Sequence, residues 1–246
     1  MKTTIRGVLS LTAISVCALA AGCAATDGAM EKLQQTGLLK SSTSALSIDD
    51  ITAGLKEALT KGSNEVVGQL GQSGGFSADP AIRIPLPASL AKARDYAAKV
   101  GLDSSFNELE LKLNEAAEAA TPKAKELFLG AIKDMSVEDA QGILKGPDNA
   151  ATQYFETKTR TNLAGEMTPI IESSLAQVGA VSYFNQLMSS YSKIPFAPKV
   201  DADLTSHVVD KGMDGIFTYL AKEEKSIREN PVERTTDLLK KVFSAQ

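Results

Sequence analysis

The chain has 246 residues, 43% of them hydrophobic and only 5% aromatic, with no tryptophan and a net charge of −4. The acidic balance argues against nucleic acid, which asks for a basic footprint, and against adsorption to anionic lipid by charge alone. With so few aromatic residues, the core must come from Leu, Ile, Val and Ala, a composition suited to helices packed closely on helices.

The N-terminus reads MKTTIRGVLSLTAISVCALAAGC. Lys2 and Arg6 make a basic start, and an uncharged, mostly apolar run follows from Gly7 to Leu19, too short to span a bilayer. This predicts a signal peptide over residues 1–22. Leu19-Ala20-Ala21-Gly22-Cys23 resembles the bacterial lipobox, with Ala20 where Leu is more usual, so Cys23 is expected to be acylated and to become the first residue. Cys17 leaves with the leader and Cys23 is consumed by lipid. No thiol then remains for a disulfide, a zinc site or a nucleophile. The expected partner is the membrane, through acylated Cys23. Ala24, rather than Asp, directs the expectation to the periplasmic side of the outer membrane; a plain secretory leader would instead leave the protein soluble in the periplasm. Residues 23–46, polar and rich in Ser, Thr and Gly, read as a flexible tether.

From Ser47 onward helical spacing dominates. Ser47-Ile48-Asp49-Asp50 resembles a capping box, and Ile51, Leu55, Leu59, Val66 and Leu70 continue one face, with Gly62 a weak point. Glycines and prolines break residues 71–87, which predicts an extended or β-hairpin-like arm near 72–87. Helices are then expected over 88–100, stopped by Gly101 in the left-handed conformation, and from Asp103. Thr121-Pro122 reads as an N-cap with proline at the first helical position. Further starts fall at Ser136 and at Asp148, on either side of the Gly146-Pro147 break, and Thr168-Pro169 reads as a restart or a kink. Helices over 181–191 and 204–229 follow, separated by a proline loop, SKIPFAPKV, and Asn230-Pro231 opens the last one. The fold class is all-α: a single-domain bundle of roughly nine or ten helices, counted from these starts and stops, over residues 47–245.

Most catalytic patterns fail residue by residue. The single histidine, His207, reads as an exposed or hydrogen-bonded helix residue, and zinc would need further nitrogen or sulfur ligands. No Gly-x-Ser-x-Gly elbow is present. Lys61-Gly62-Ser63 lacks the glycine frame of a phosphate loop. Asp201-Ala202-Asp203 begins like a calcium loop, but Ser206 stands where the glycine belongs and Gly212 where the closing Glu belongs. No metal and no cofactor is expected. Carboxylates and arginines remain. Glu115 and Glu118 share a helix face; Asp139 and Asp148 follow; Glu224 and Arg228 have the spacing of a surface pair. Residues 135–159 are the densest polar stretch. Asp139 and Asp148 there, with Thr152, Tyr154, the nearby Arg160 and the pair Glu115 and Glu118, are the candidate polar site, and the helix start capped by Asp148 favours an anion.

Five stretches, IDDITAGLKEAL, GGFSADPAIRIPLP, NEAAEAATPKAKELFLGAIKDM, SVEDAQGILKGPDNAATQYFETKT and EKSIRENPVERTTDLLKKVF, make residues 48–243 resemble the bacterial domain-of-unknown-function 4197 family. The resemblance implies an exported helical domain and brings with it no activity, substrate or cofactor. The expected role is a non-catalytic, lipid-anchored binding or structural module of the cell envelope, with an envelope protein or a small molecule as partner. Two alternatives stand beside it: a carboxylate-dependent hydrolase with Glu115, Glu118, Asp139 and Asp148 around one pocket, and a carrier of an apolar small molecule between the Ala-rich helices.

Overall fold

The computed structural model describes residues 46–136 and 140–244; the leader, Cys23 and the tether up to residue 45 lie outside the described residues, as does Asp139. The described chain runs through α1 (Ile48–Leu70), α2 (Ala88–Ala97), α3 (Asp103–Asp134), α4 (Ala140–Leu144), α5 (Ala150–Gln177), α6 (Ala180–Tyr191), α7 (Leu204–Glu229) and α8 (Asp237–Phe243), with 3-10 turns at Ala98–Val100 and Pro231–Glu233. Among the described residues there is no strand, and no helix is long and apolar enough to cross a membrane.

The four long helices close a ring: α1 packs on α3, α3 on α5, α5 on α7 and α7 back on α1. Each turns an apolar stripe inward. Where the stripes meet, Phe217 of α7 takes Phe128 of α3 and Phe155 of α5 edge-on, with centroids 6.1 and 6.0 Å away, a favoured aromatic geometry. The smaller helices cover the ring: α4 and α8 lie on α1, and α6 on α3 and α5. Gly62 does not weaken α1, which is continuous. A Cβ there would lie 2.8 Å from Leu220, so the glycine permits the close approach of α1 to α7.

Among the described residues there are eight α-helices, against the nine or ten predicted, because neither Thr-Pro pair starts a new helix. Pro122 lies inside α3 and Pro169 inside α5. Each follows a threonine whose hydroxyl donates to the carbonyl four residues back, Thr121 to Ala117 and Thr168 to Ala164, both at 2.8 Å. A Thr-Pro pair is therefore ambiguous in sequence. An interior proline costs about 3 kcal/mol, which burial of the surrounding helix outweighs here: Ala116, Ala117, Ala120 and Ala124 are all buried. The Ser47 capping box and the left-handed Gly101 (φ 75°) stand as predicted. Asn230-Pro231 opens only the 3-10 turn, in which Val232 is 88% exposed, and the last helix starts later, at Asp237, behind a Thr236 side-chain cap.

The arm over residues 71–87 is a series of turns followed by extended chain, not a hairpin. Phe76, Ile82, Ile84 and Leu86 are all buried in the common core. Exposing these four side chains would cost on the order of 6–12 kcal/mol, comparable with the whole stability of a domain. The arm is thus part of the core and cannot act as a lid.

Candidate functional site

The second half of α3 and the middle of α5 enclose a cleft of about 480 Å³. Leu127, Ala131, Met135 and Leu163 supply its apolar wall, and Glu126, Asp134, Lys158 and Glu166 its charged rim. Among the described residues none of these four charged side chains makes an ion pair. One end is held shut by Tyr154, whose hydroxyl donates to the carbonyl of Ser136 at 2.6 Å and whose ring lies 5.7 Å from the Lys158 ammonium. The α3 side is open at Gly130, where a Cβ would meet nothing within 4 Å.

Of the described residues of the candidate polar site, only Tyr154 lines this cleft. Glu115 is half-buried, 4.0 Å from Lys112. Glu118 is buried, and its Oε1 accepts from the N–H groups of Phe76 and Ser77 and from the Ser77 hydroxyl, each at 3.1 Å. Asp148 is exposed, 3.5 Å from Lys225. Thr152 points into the core. Arg160 clamps α5 to α7, donating to Glu156 and Asp214 at 2.6 Å each and to the Asp210 carbonyl at 3.1 Å. These side chains have separate partners and form no single pocket. Cys23 and Asp139 are outside the described residues.

The polar groups at the heart of the 135–159 stretch belong to another helix. Asp148 does not cap α5; Asn149 holds the N-cap position without a side-chain bond. Glu224 of α7 does the capping. Its Oε1 accepts from Ala151 N–H at 2.9 Å, and its Oε2 from the Thr152 N–H and hydroxyl, both at 2.7 Å. Arg228, one turn on, donates to Glu224 at 2.8 and 2.9 Å and to the carbonyls of Ile143 and Leu144 at 3.1 and 3.0 Å. The acid thus serves the positive end of α5 and the base the negative end of α4, each the sign that the helix dipole favours. The expected surface pair is a buried staple across the Gly146-Pro147 corner. Arg234 completes it by donating to the carbonyls of Ile227 and Arg228, at 3.0 and 2.5 Å, where α7 ends.

A second buried set fastens the arm. Asn114, fully buried on α3, accepts from Ile84 N–H and donates to the Ile84 carbonyl, both at 2.9 Å, and donates to Glu110 O at 2.8 Å. Glu110 meets Arg83 at 2.8 Å and Arg94 at 3.6 Å. With Glu118, these residues sit four apart along one face of α3 and follow the arm from end to end. His207 joins them from α7, with its Nε2 2.7 Å from the Pro85 carbonyl. Among the described residues, no group of three or more His, Cys, Asp or Glu side chains is arranged to hold a metal ion.

The family model for DUF4197, described as a protein of unknown function, matches residues 45–244. The chain belongs to the DUF4197 family. The match covers the ring, the arm and the staple together, so the described helices constitute the DUF4197 domain. No curated protein and no solved structure matches the chain.

Two aspartates of the DUF4197 domain carry a pH dependence. Hydrogen bonds from the Tyr219 hydroxyl and the Ala81 N–H hold the Asp79 carboxyl below its usual range and tie the arm to α7. Burial pushes Asp214 upward, but its hydrogen bonds with Lys211 and Arg160, reinforced by their charges, bring it below the usual range. A carboxyl depressed on folding contributes fully above its unfolded value of about 3.9, and the contribution is lost as pH falls through the lower folded value. Urea midpoints are therefore expected to fall as pH drops below about 4, and less steeply in Asp79→Asn and Asp214→Asn. An unchanged slope in both variants would rule these contacts out as its source.

Proposed function

We propose that this is an exported protein held at the periplasmic face of the outer membrane by an acylated Cys23, and that its helical domain is a non-catalytic binding module whose cleft between α3 and α5 receives a ligand. The observation that carries the binding reading is the contrast between two sets of polar groups. Glu118, Asn114, Glu224, Arg228 and Arg234 are buried and spent on bonds that hold helices and arm together. Glu126, Asp134, Lys158 and Glu166 stand exposed around an apolar-walled hollow. Three carboxylates against one ammonium suit a ligand that combines an apolar body with positive charge.

Cys23→Ser is expected to leave a folded protein that moves from the membrane fraction to the soluble one. Retention in the membrane fraction after a high-salt wash, which screens charge contacts with lipid, would overturn the anchor. The cleft is tested by native mass spectrometry of the Cys23→Ser chain recovered from cell envelopes. Bound mass is expected on this chain and not on the same chain with Gly130→Trp, a substitution that meets no neighbour at Cβ and fills the hollow. A clean unliganded mass for both, or equal loading of both, would sink the cleft as a binding site.

A further inference from the structure

The loop between α6 and α7 presents Phe196 to solvent, 97% exposed, with φ 60°. It is the one non-glycine residue with positive φ among the described residues. The local geometry explains the angle. Pro195 and Phe196 form a turn closed by the Ala197 N–H donating to the Ile194 carbonyl at 3.3 Å, and the position after the proline in such a turn favours glycine. A bulky aromatic residue is disfavoured there, and full exposure returns no burial to offset it. The turn is not loose: the Tyr96 hydroxyl of α2 donates to the Pro195 carbonyl at 2.9 Å. The fold holds an aromatic ring outward on a fixed support.

The surroundings identify what it faces. Residues 173–200, covering the end of α5, all of α6 and this loop as far as Val200, contain no Asp or Glu in an otherwise acidic chain; Asp201 and Asp203 close the loop. Lys193 and Lys199 flank the turn, both exposed. Lys99 joins them, its ammonium 5.1 Å from the ring of the same Tyr96 that grips Pro195. Ile194, Pro195, Ala197 and Pro198 continue the apolar tip. An apolar tip flanked by lysines, with the loop's carboxylates Asp201 and Asp203 set beyond Lys199 towards α7, is the charge order of an anionic bilayer surface, with phosphates outside and acyl chains within.

We infer that the Phe196 turn is a membrane-contact site: the ring enters the acyl boundary, and Lys99, Lys193 and Lys199 meet the phosphates of anionic lipid. The contact is local and does not depend on acylation of Cys23. It would fix which face of the domain looks at the bilayer.

The absence of tryptophan makes the test direct. Phe196→Trp in the Cys23→Ser chain gives a single reporter at the tip, and Val232→Trp, at a site 88% exposed outside this loop, gives a matched control. Each is mixed with phosphatidylglycerol–phosphatidylethanolamine vesicles, with and without brominated acyl chains. The expected result is a blue shift and bromine quenching at residue 196 with neither at 232. Lys193→Gln and Lys199→Gln should each weaken vesicle affinity roughly fivefold. Water-like, unquenched emission at residue 196 would overturn the inference. So would equal quenching at both positions, which would mean non-specific adsorption.

Discussion

Replacing Glu224 with alanine is expected to destabilise the domain by about 3–5 kcal/mol, because it leaves Arg228 as an uncompensated buried charge. The side chains of the pair are 2% and 4% exposed, so water cannot take over the lost contacts. The substitution also strips the Ala151 and Thr152 N–H groups of their acceptor. At about 2–4 °C per kcal/mol for a domain of this size, the melting temperature should fall by roughly 6–20 °C. Glu224→Met with Arg228→Met should cost less than Glu224→Ala alone, since removing both charges removes the uncompensated one. The double variant is not neutral, because the α4 carbonyls lose their donor. Thermal unfolding of the variants checks this; a single substitution as mild as the double would mean that the buried ion pair is not what holds the corner.

The second large effect is expected at Asn114. Asn114→Leu keeps the volume and removes three hydrogen bonds, leaving the Ile84 N–H buried without an acceptor. An unsatisfied buried group costs about 1–3 kcal/mol, and here both polar groups of Ile84 are affected, so a loss of roughly 2–4 kcal/mol is expected. The readout is specific because Asn114 is the residue that holds both backbone groups of Ile84. Limited proteolysis should cut within residues 76–87 in the variant under conditions that leave the parent intact. A variant that loses stability but shows no new cleavage there would place the effect in α3 instead of the arm.

Much of this could be read from the chain. The helical stripes, the Ser47 box, Gly101 and the long helix α7 follow from local spacing and local chemistry. The Thr-Pro pairs could not be resolved locally, since the same two letters serve a helix start and a helix interior, and only burial on all sides decides. The staple did leave a trace. Glu224 falls in line with Ile216, Leu220 and Ile227 on the apolar face of α7, and Glu110, Asn114 and Glu118 fall beside Leu109, Leu113 and Ala117 on that of α3. A polar residue inside an apolar stripe signals a buried bond. Read as pairs by charge and spacing alone, Glu224 and Arg228 resemble a solvated couple. The cleft left less trace, because residues 126–136 and 154–166 are unremarkable apart and meet only when α3 and α5 pack. Tyr154 was found because it lies in the polar corner, while its neighbours Lys158 and Glu166 look like any exposed helix face.

The cap on α5 comes from a residue 72 and 73 positions further along the chain than the amides it receives. A helix start with its own cap can form early and alone. This one cannot: its first turn gains its acceptor only when α7 has arrived, so its local order is tied to a late, long-range event in folding. Hydrogen exchange at Ala151 and Thr152 should then proceed only with opening of the whole ring, which makes two amides near a helix end, ordinarily the first to fray, reporters of the global unfolding of the protein.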